Sequence, residues 1–126
     1  RGKVGELLEF MRSRRVPVSA YIFPGDFNFR GGEIDYSEFL TGSAGENAAA
    51  WCARAGSCAG GDPGRILKES VDHQFFGSSE RVRLTPLRVE YSFTELENGK
   101  PLSDHWGLET LFRLEVSPSA PAGAAR

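Results

Sequence analysis

An α+β fold is what the sequence predicts: a mixed, mostly antiparallel sheet with helices on one face. Three observations predict it. One amphipathic pattern opens the chain, short apolar runs bounded by turn residues follow, and two long alternating stretches stand near the C-terminal end.

The first element is a helix over residues 3–14. Val4, Leu7, Leu8 and Met11 fall at i, i+3, i+4 and i+7, with Lys3, Glu6, Arg12 and Arg14 on the other side. "RRVPVS" breaks it, because Pro17 disfavours helical backbone in its predecessor. Ser19–Phe23 reads as a short buried strand ended by Pro24 and Gly25. Residues 30–69 read as a loop-rich insert. "RGGEID" and "TGSAGEN" are turn-rich, "ENAAAWCARA" is an alanine-favoured helix, and "GSCAGGDPGR" is loop. Residues 70–76, "SVDHQFF", form the next strand. "RVRLTPLRVEYSF" is a long strand whose Pro86 makes it an edge or bulged one. "TELENGKPLSDH" is loop. "WGLETLFRLEV" alternates, with Leu108, Thr110, Phe112, Leu114 and Val116 on one face. The expected domain is 1–117, and 118–126 is a flexible tail rich in Ser, Pro and Ala.

Composition bounds the class. The chain has 126 residues, 40% hydrophobic and 25% charged, with formal net charge −2, which suits one globular domain. A nucleic-acid partner is the less expected one, since backbone binding favours a basic face. No apolar run reaches the roughly 18–20 residues that span a bilayer. Opening inside an amphipathic helix, without an initiator methionine, points to a truncated chain whose targeting signals are not read. The compartment is left open, with a secreted or membrane-associated one favoured. Cys52 and Cys58 lie six apart. They read as two thiols or as a small disulfide loop, and the disulfide is preferred.

Three stretches carry the chemistry. In "GDFN", Asp26 and Asn28 stand two apart at a strand end, a spacing that aims both side chains one way. The carboxylate can hold a water and the carboxamide a substrate oxygen; taken alone, the stretch is equally a turn. In "SDHWG", His105 is the side chain best poised for proton transfer near neutral pH, and Asp104 beside it is free to meet a metal. In "SVDHQFF", Asp72 interrupts an apolar strand and needs a partner. That partner is His105, held in one tautomer, or else an arginine such as Arg81 or Arg83. His73 reads as structural.

The order GDFN, VDH, SDHWGLE before a last strand resembles the C-terminal half of the endonuclease/exonuclease/phosphatase superfamily, from the helix before "YIFPGDFNF" to "LETLFRLEV". These Mg²⁺-dependent enzymes include DNase I-like nucleases, inositol polyphosphate phosphatases and neutral sphingomyelinases; "PLSDHWGLETLFRL" looks most like the last. The resemblance implies part of a four-layer α/β sandwich, Mg²⁺, and hydrolysis of sphingomyelin to ceramide and phosphocholine at a membrane surface. The alternatives are a nuclease, an inositol polyphosphate phosphatase, or a non-catalytic module. By the resemblance, Asp26 orients or activates water or helps bind metal, and Asn28 holds a phosphate oxygen. His105 is the base or a phosphate contact, Asp72 orients it, and Asp104 lies near metal or water. The family's aromatic after that aspartate is here His73. Its metal-binding glutamate, in a "QE"-like context, has no counterpart, since Glu6 and Glu9 lie on the helix. The chain alone is accordingly expected to be inactive.

Overall fold

The computed structural model describes residues 2–14 and 19–118. Its elements are α1 (Gly2–Arg14), β1 (Tyr21–Asp26), α2 (Ile34–Ser43), β2 (Glu46–Asn47), α3 (Ala48–Ala55), α4 (Pro63–Glu69), β3 (Asp72–Gly77), β4 (Val82–Ser92), β5 (Leu96–Glu97), β6 (Lys100–Pro101) and β7 (Gly107–Val116). The fold is α+β, and every strand pairing is antiparallel. The strands form a sheet of order β1-β3-β2, a β4-β7 ribbon and the small β5-β6 hairpin.

Strand β3 organises the interior, because its successive side chains point to opposite faces. Phe75 packs with Val4 and Met11 of α1, Tyr36 and Phe39 of α2, and Phe29. Phe76 packs the other way, with Ala48, Ala49 and Cys52 of α3, Ile66 of α4, and Leu84 and Val89 of β4. Helices therefore flank both faces of this sheet, not one as the sequence suggested. Two apolar residues in succession on β3 require cover on both sides.

Several elements differ from expectation. β1 runs through Pro24 and Gly25 to Asp26. Pro24 is tolerated because β1 is an edge strand, paired with β3 alone, so its missing N–H interrupts no second ladder. The insert is largely helical. In α2, Tyr36, Phe39 and Ser43 are buried at helical spacing. In α4, Asp62 caps the start through Arg65 N (3.3 Å) and Pro63 occupies the first turn. Gly61 cannot carry a side chain, since a Cβ there would strike the Val89 carbonyl. β4 is bulged, its register with β7 shifting between Pro86 and Arg88. In β7, Leu114 and Val116 are exposed; burial along the expected face stops at Phe112. The predicted loop 94–105 contains the β5-β6 hairpin.

Cys52 and Cys58 are joined in a disulfide, which ties the end of α3 to the loop lying on β4, where Ala59 N donates to Leu87 O. The helix break at Pro17 and the tail beyond Pro118 lie outside the described residues.

Candidate functional site

Antiparallel pairing sets Asp26, the last residue of β1, directly across from Asp72, the first residue of β3. Like charges placed opposite each other on a ladder repel. The group that offsets them arrives on the loop between β6 and β7. His105 Nδ1 lies 2.9 Å from Asp72 Oδ2, and its Nε2 lies 3.9 Å from Asp26 Oδ2. A carboxylate only accepts, so Nδ1 carries the hydrogen and donates it to Asp72, leaving Nε2 turned toward Asp26. The Asp72 hydrogen bond and charge raise the His105 pKa above its ordinary 6.5, with Asp104 and Asp26 adding smaller contributions.

Asp72 is fixed from both directions along the chain. Its N–H donates to Ser70 Oγ at 3.0 Å, and the Ser70 hydroxyl donates to the Asp72 carbonyl at 2.9 Å. The loop after β1 is tied to the same place, Phe27 N donating to Val71 O at 2.9 Å. Of the two partners considered for Asp72, the structure therefore gives His105.

Asn28 and Asp26 do not share one strand face. Asn28 N donates to Asp26 Oδ1 at 3.0 Å, and Asn28 sits at φ 59, in the left-handed region. The stretch is thus a turn closed by the aspartate side chain, which orients that carboxylate at the strand end. Asp104 stands apart from the three-residue group. Among the described residues, the side chains whose ligand atoms converge within 4.8 Å are Asp26, Asp72 and His105. Asp104 instead lines the adjoining hollow and accepts from the Ser103 hydroxyl at 3.4 Å.

His73 is buried, 3% exposed. Its Nε2 lies 2.6 Å from the Phe29 carbonyl and its Nδ1 lies 3.1 Å from Asn47 Nδ2. The carbonyl takes the Nε2 hydrogen and the carboxamide donates to Nδ1, so the ring is neutral with both nitrogens satisfied. Burial lowers its pKa.

The hollow, about 320 Å³, is lined by Asp72, Asp104, His105 and Trp106 from the motif stretches and by residues the motifs did not indicate, among them Glu69 and Tyr91. Their nearest sequence signal was the i, i+4 pair Arg65 and Glu69, joined at 3.0 Å. In donor chemistry, the two carboxylates suit a hard divalent cation such as Mg²⁺, which takes oxygen ligands. The imidazole suits proton transfer better, being already committed to Asp72. No helix among the described residues is long and apolar enough to cross a membrane. No family model matches the chain, and neither curated proteins nor solved structures give a match.

Proposed function

We propose that the chain carries the acid–base side of a Mg²⁺-assisted phosphodiesterase, of the DNase I-like four-layer sandwich class, acting on sphingomyelin or a similar choline phospholipid. One observation carries the reading. Two carboxylates from adjacent strands are brought face to face with a histidine between them, oriented by one and aimed at the other.

Asp72 positions His105 and fixes Nδ1 as the nitrogen that keeps its hydrogen. Nε2 is then the atom that meets solvent and substrate. Neutral, it accepts a proton; protonated, it donates to a phosphate oxygen. Nε2 and Asp26 lie 3.9 Å apart, close enough for both to reach one water seated beside them, which Asp26 orients for attack. Asn28 follows Asp26 in the turn and offers a neutral carboxamide to a phosphate oxygen. Asp26 and Asp72 would hold Mg²⁺, which would supply charge neutralisation of the phosphate oxygens, while Asp104 lines the hollow outside the converging group. Glu6 and Glu9 lie on α1, outside the converging group, so a further carboxylate ligand is sought in any longer polypeptide that carries this chain.

A lipid substrate is favoured over a nucleic acid by the surface around the group. Phe93, Leu96 and Leu102 on and beside the β5-β6 hairpin are 71%, 61% and 66% exposed. Apolar side chains displayed around a site suit an interface with lipid more than a phosphate backbone.

The test assays sphingomyelin vesicles for phosphocholine release and plasmid DNA for nicking, both with Mg²⁺, using this chain and any longer polypeptide that carries it. Release without nicking is the expected result for the longer polypeptide, and no release for this chain alone. Nicking without release would transfer the protein to the nucleases. Neither activity from the longer polypeptide would remove the proposed phosphodiesterase function.

A further inference from the structure

The hollow next to His105 has an aromatic wall. Tyr91 from β4 and Trp106 from the loop before β7 meet edge to face, with ring centroids 5.1 Å apart. Both rings already accept a cation. The Arg65 guanidinium carbon lies 5.7 Å from the Tyr91 centroid and 6.0 Å from that of Trp106. Arg65 is neutralised by Glu69 at 3.0 Å, and Glu69 also takes the Tyr91 hydroxyl at 3.1 Å. Trp106 keeps 41% of its surface exposed, and both rings line the hollow.

Charge around the hollow is uneven. Asp72 is matched by His105 and Glu69 by Arg65. Asp104, in contrast, makes no ion pair among the described residues. The lining contains no lysine or arginine. A hollow with two aromatic rings and one carboxylate that no ion pair answers, whose histidine is held by Asp72 and whose neighbouring guanidinium is held by Glu69, attracts a weakly hydrated organic cation.

We infer that Tyr91, Trp106 and Asp104 form a subsite for a quaternary ammonium group, the cationic end of a zwitterionic phosphodiester whose phosphate lies at Asp26 and His105. The inference deepens the proposed function and rests on it for the identity of the phosphate site. A trimethylammonium group is large and poorly hydrated, so it gains from ring faces what a small, strongly hydrated ammonium does not. The lining holds both kinds of group the ligand needs, Asp72 and His105 for the phosphate end and Tyr91, Trp106 and Asp104 for the cationic end.

Choline is the probe, and binding is read from Trp106 fluorescence in the full chain carrying Trp51→Phe, which leaves Trp106 as its one tryptophan. The expected result is a saturable fluorescence change with choline. The neutral isostere 3,3-dimethylbutan-1-ol should bind at least about fivefold more weakly. Tyr91→Leu should weaken choline by about fivefold, whereas Tyr91→Phe, which keeps the ring and loses only the bond to Glu69, should stay within about twofold. Asp104→Asn should weaken choline about twofold or more. Circular dichroism establishes that each variant is folded. Equal binding of the neutral alcohol, or undiminished binding by folded Tyr91→Leu, overturns the subsite. Because hydrolysis is not the readout, the two readings fail separately. Choline binding by this chain with no cleavage by the longer polypeptide supports the subsite and removes the phosphodiesterase. Phosphocholine release with no choline binding does the reverse.

Discussion

Removing the Cys52–Cys58 disulfide should cost the domain about 2 kcal/mol without moving the Asp72–His105 pair. The bridge spans six positions. In the chain-entropy account, closing a loop that short removes roughly 7 cal/mol/K from the unfolded chain, or about 2 kcal/mol at room temperature. Unfolding entropy of roughly 2.1 cal/mol/K per residue converts this into a fall of about 8 °C in midpoint for 126 residues. The site should keep its geometry because α4 has its own anchors. Ile66 is buried in the core, and Ser70, just past the helix, fixes Asp72 directly. The assay is calorimetry of the Cys52→Ala/Cys58→Ala variant and of the wild type with and without a phosphine reductant, with the His105 ring signals followed by NMR. A midpoint that reductant leaves unchanged would refute the reasoning. So would two thiols open to alkylation in the unfolded, unreduced protein.

Other consequences follow from single contacts. His73 is held neutral by burial, so its folded pKa lies below the ordinary 6.5. The unfolded chain then binds a proton first, and stability present above about pH 6.5 should be lost as pH falls toward the folded value. Chemical denaturation between pH 8 and 5 should show this loss in the wild type and less of it in His73→Gln. Asn47 caps α3 by accepting from Ala50 N at 2.9 Å and donates to His73 at 3.1 Å. Asn47→Ala removes a cap and strands a buried ring nitrogen, and should cost about 2–3 kcal/mol in urea titration; a cost below about 0.5 kcal/mol would contradict that account. Phe93→Ser with Leu96→Ser should reduce sedimentation with phosphatidylcholine–sphingomyelin vesicles several-fold while leaving the melting midpoint within about 2 °C, since both side chains are exposed.

What could be read from the sequence, and what could not, divides on physical grounds. Asp26, Asp72 and His105 were legible because each is a polar residue beside an apolar strand pattern, where a rigid sheet can aim it. The contact between Asp72 and His105 was legible as a partner problem, a carboxylate in an apolar strand that needed one. β1 was drawn too short because Pro24 signals a strand end unless the strand is an edge, and edge position is a tertiary fact. In α2, the stripe of Tyr36, Phe39 and Leu40 was present but masked by the glycines at 31, 32, 42 and 45. In α4, Asp62 followed by Pro63 is a helix-start pattern that the flanking glycines concealed. The i, i+2 argument for Asn28 failed because its own backbone N–H is captured by Asp26. Asp104 reads as free to meet a metal because adjacent residues face opposite ways; the structure sets it on the wall of the hollow, outside the converging group, a placement fixed by a loop and not by strand alternation. The aromatic wall was hidden because Tyr91 and Trp106 lie fifteen positions apart and come together only through the β4-β7 pairing.

The central claim is that Asp26, Asp72 and His105 form one phosphodiester-cleaving group. The measurement that tests it most directly is the Mg²⁺-dependent rate of phosphocholine release from sphingomyelin vesicles, compared between the catalytically competent polypeptide and its His105→Ala variant at equal vesicle binding. The account predicts a loss of about 10²- to 10⁴-fold in kcat, the size of a proton-transfer group, with binding unchanged. A His105→Ala rate within about twofold of the wild type would contradict it.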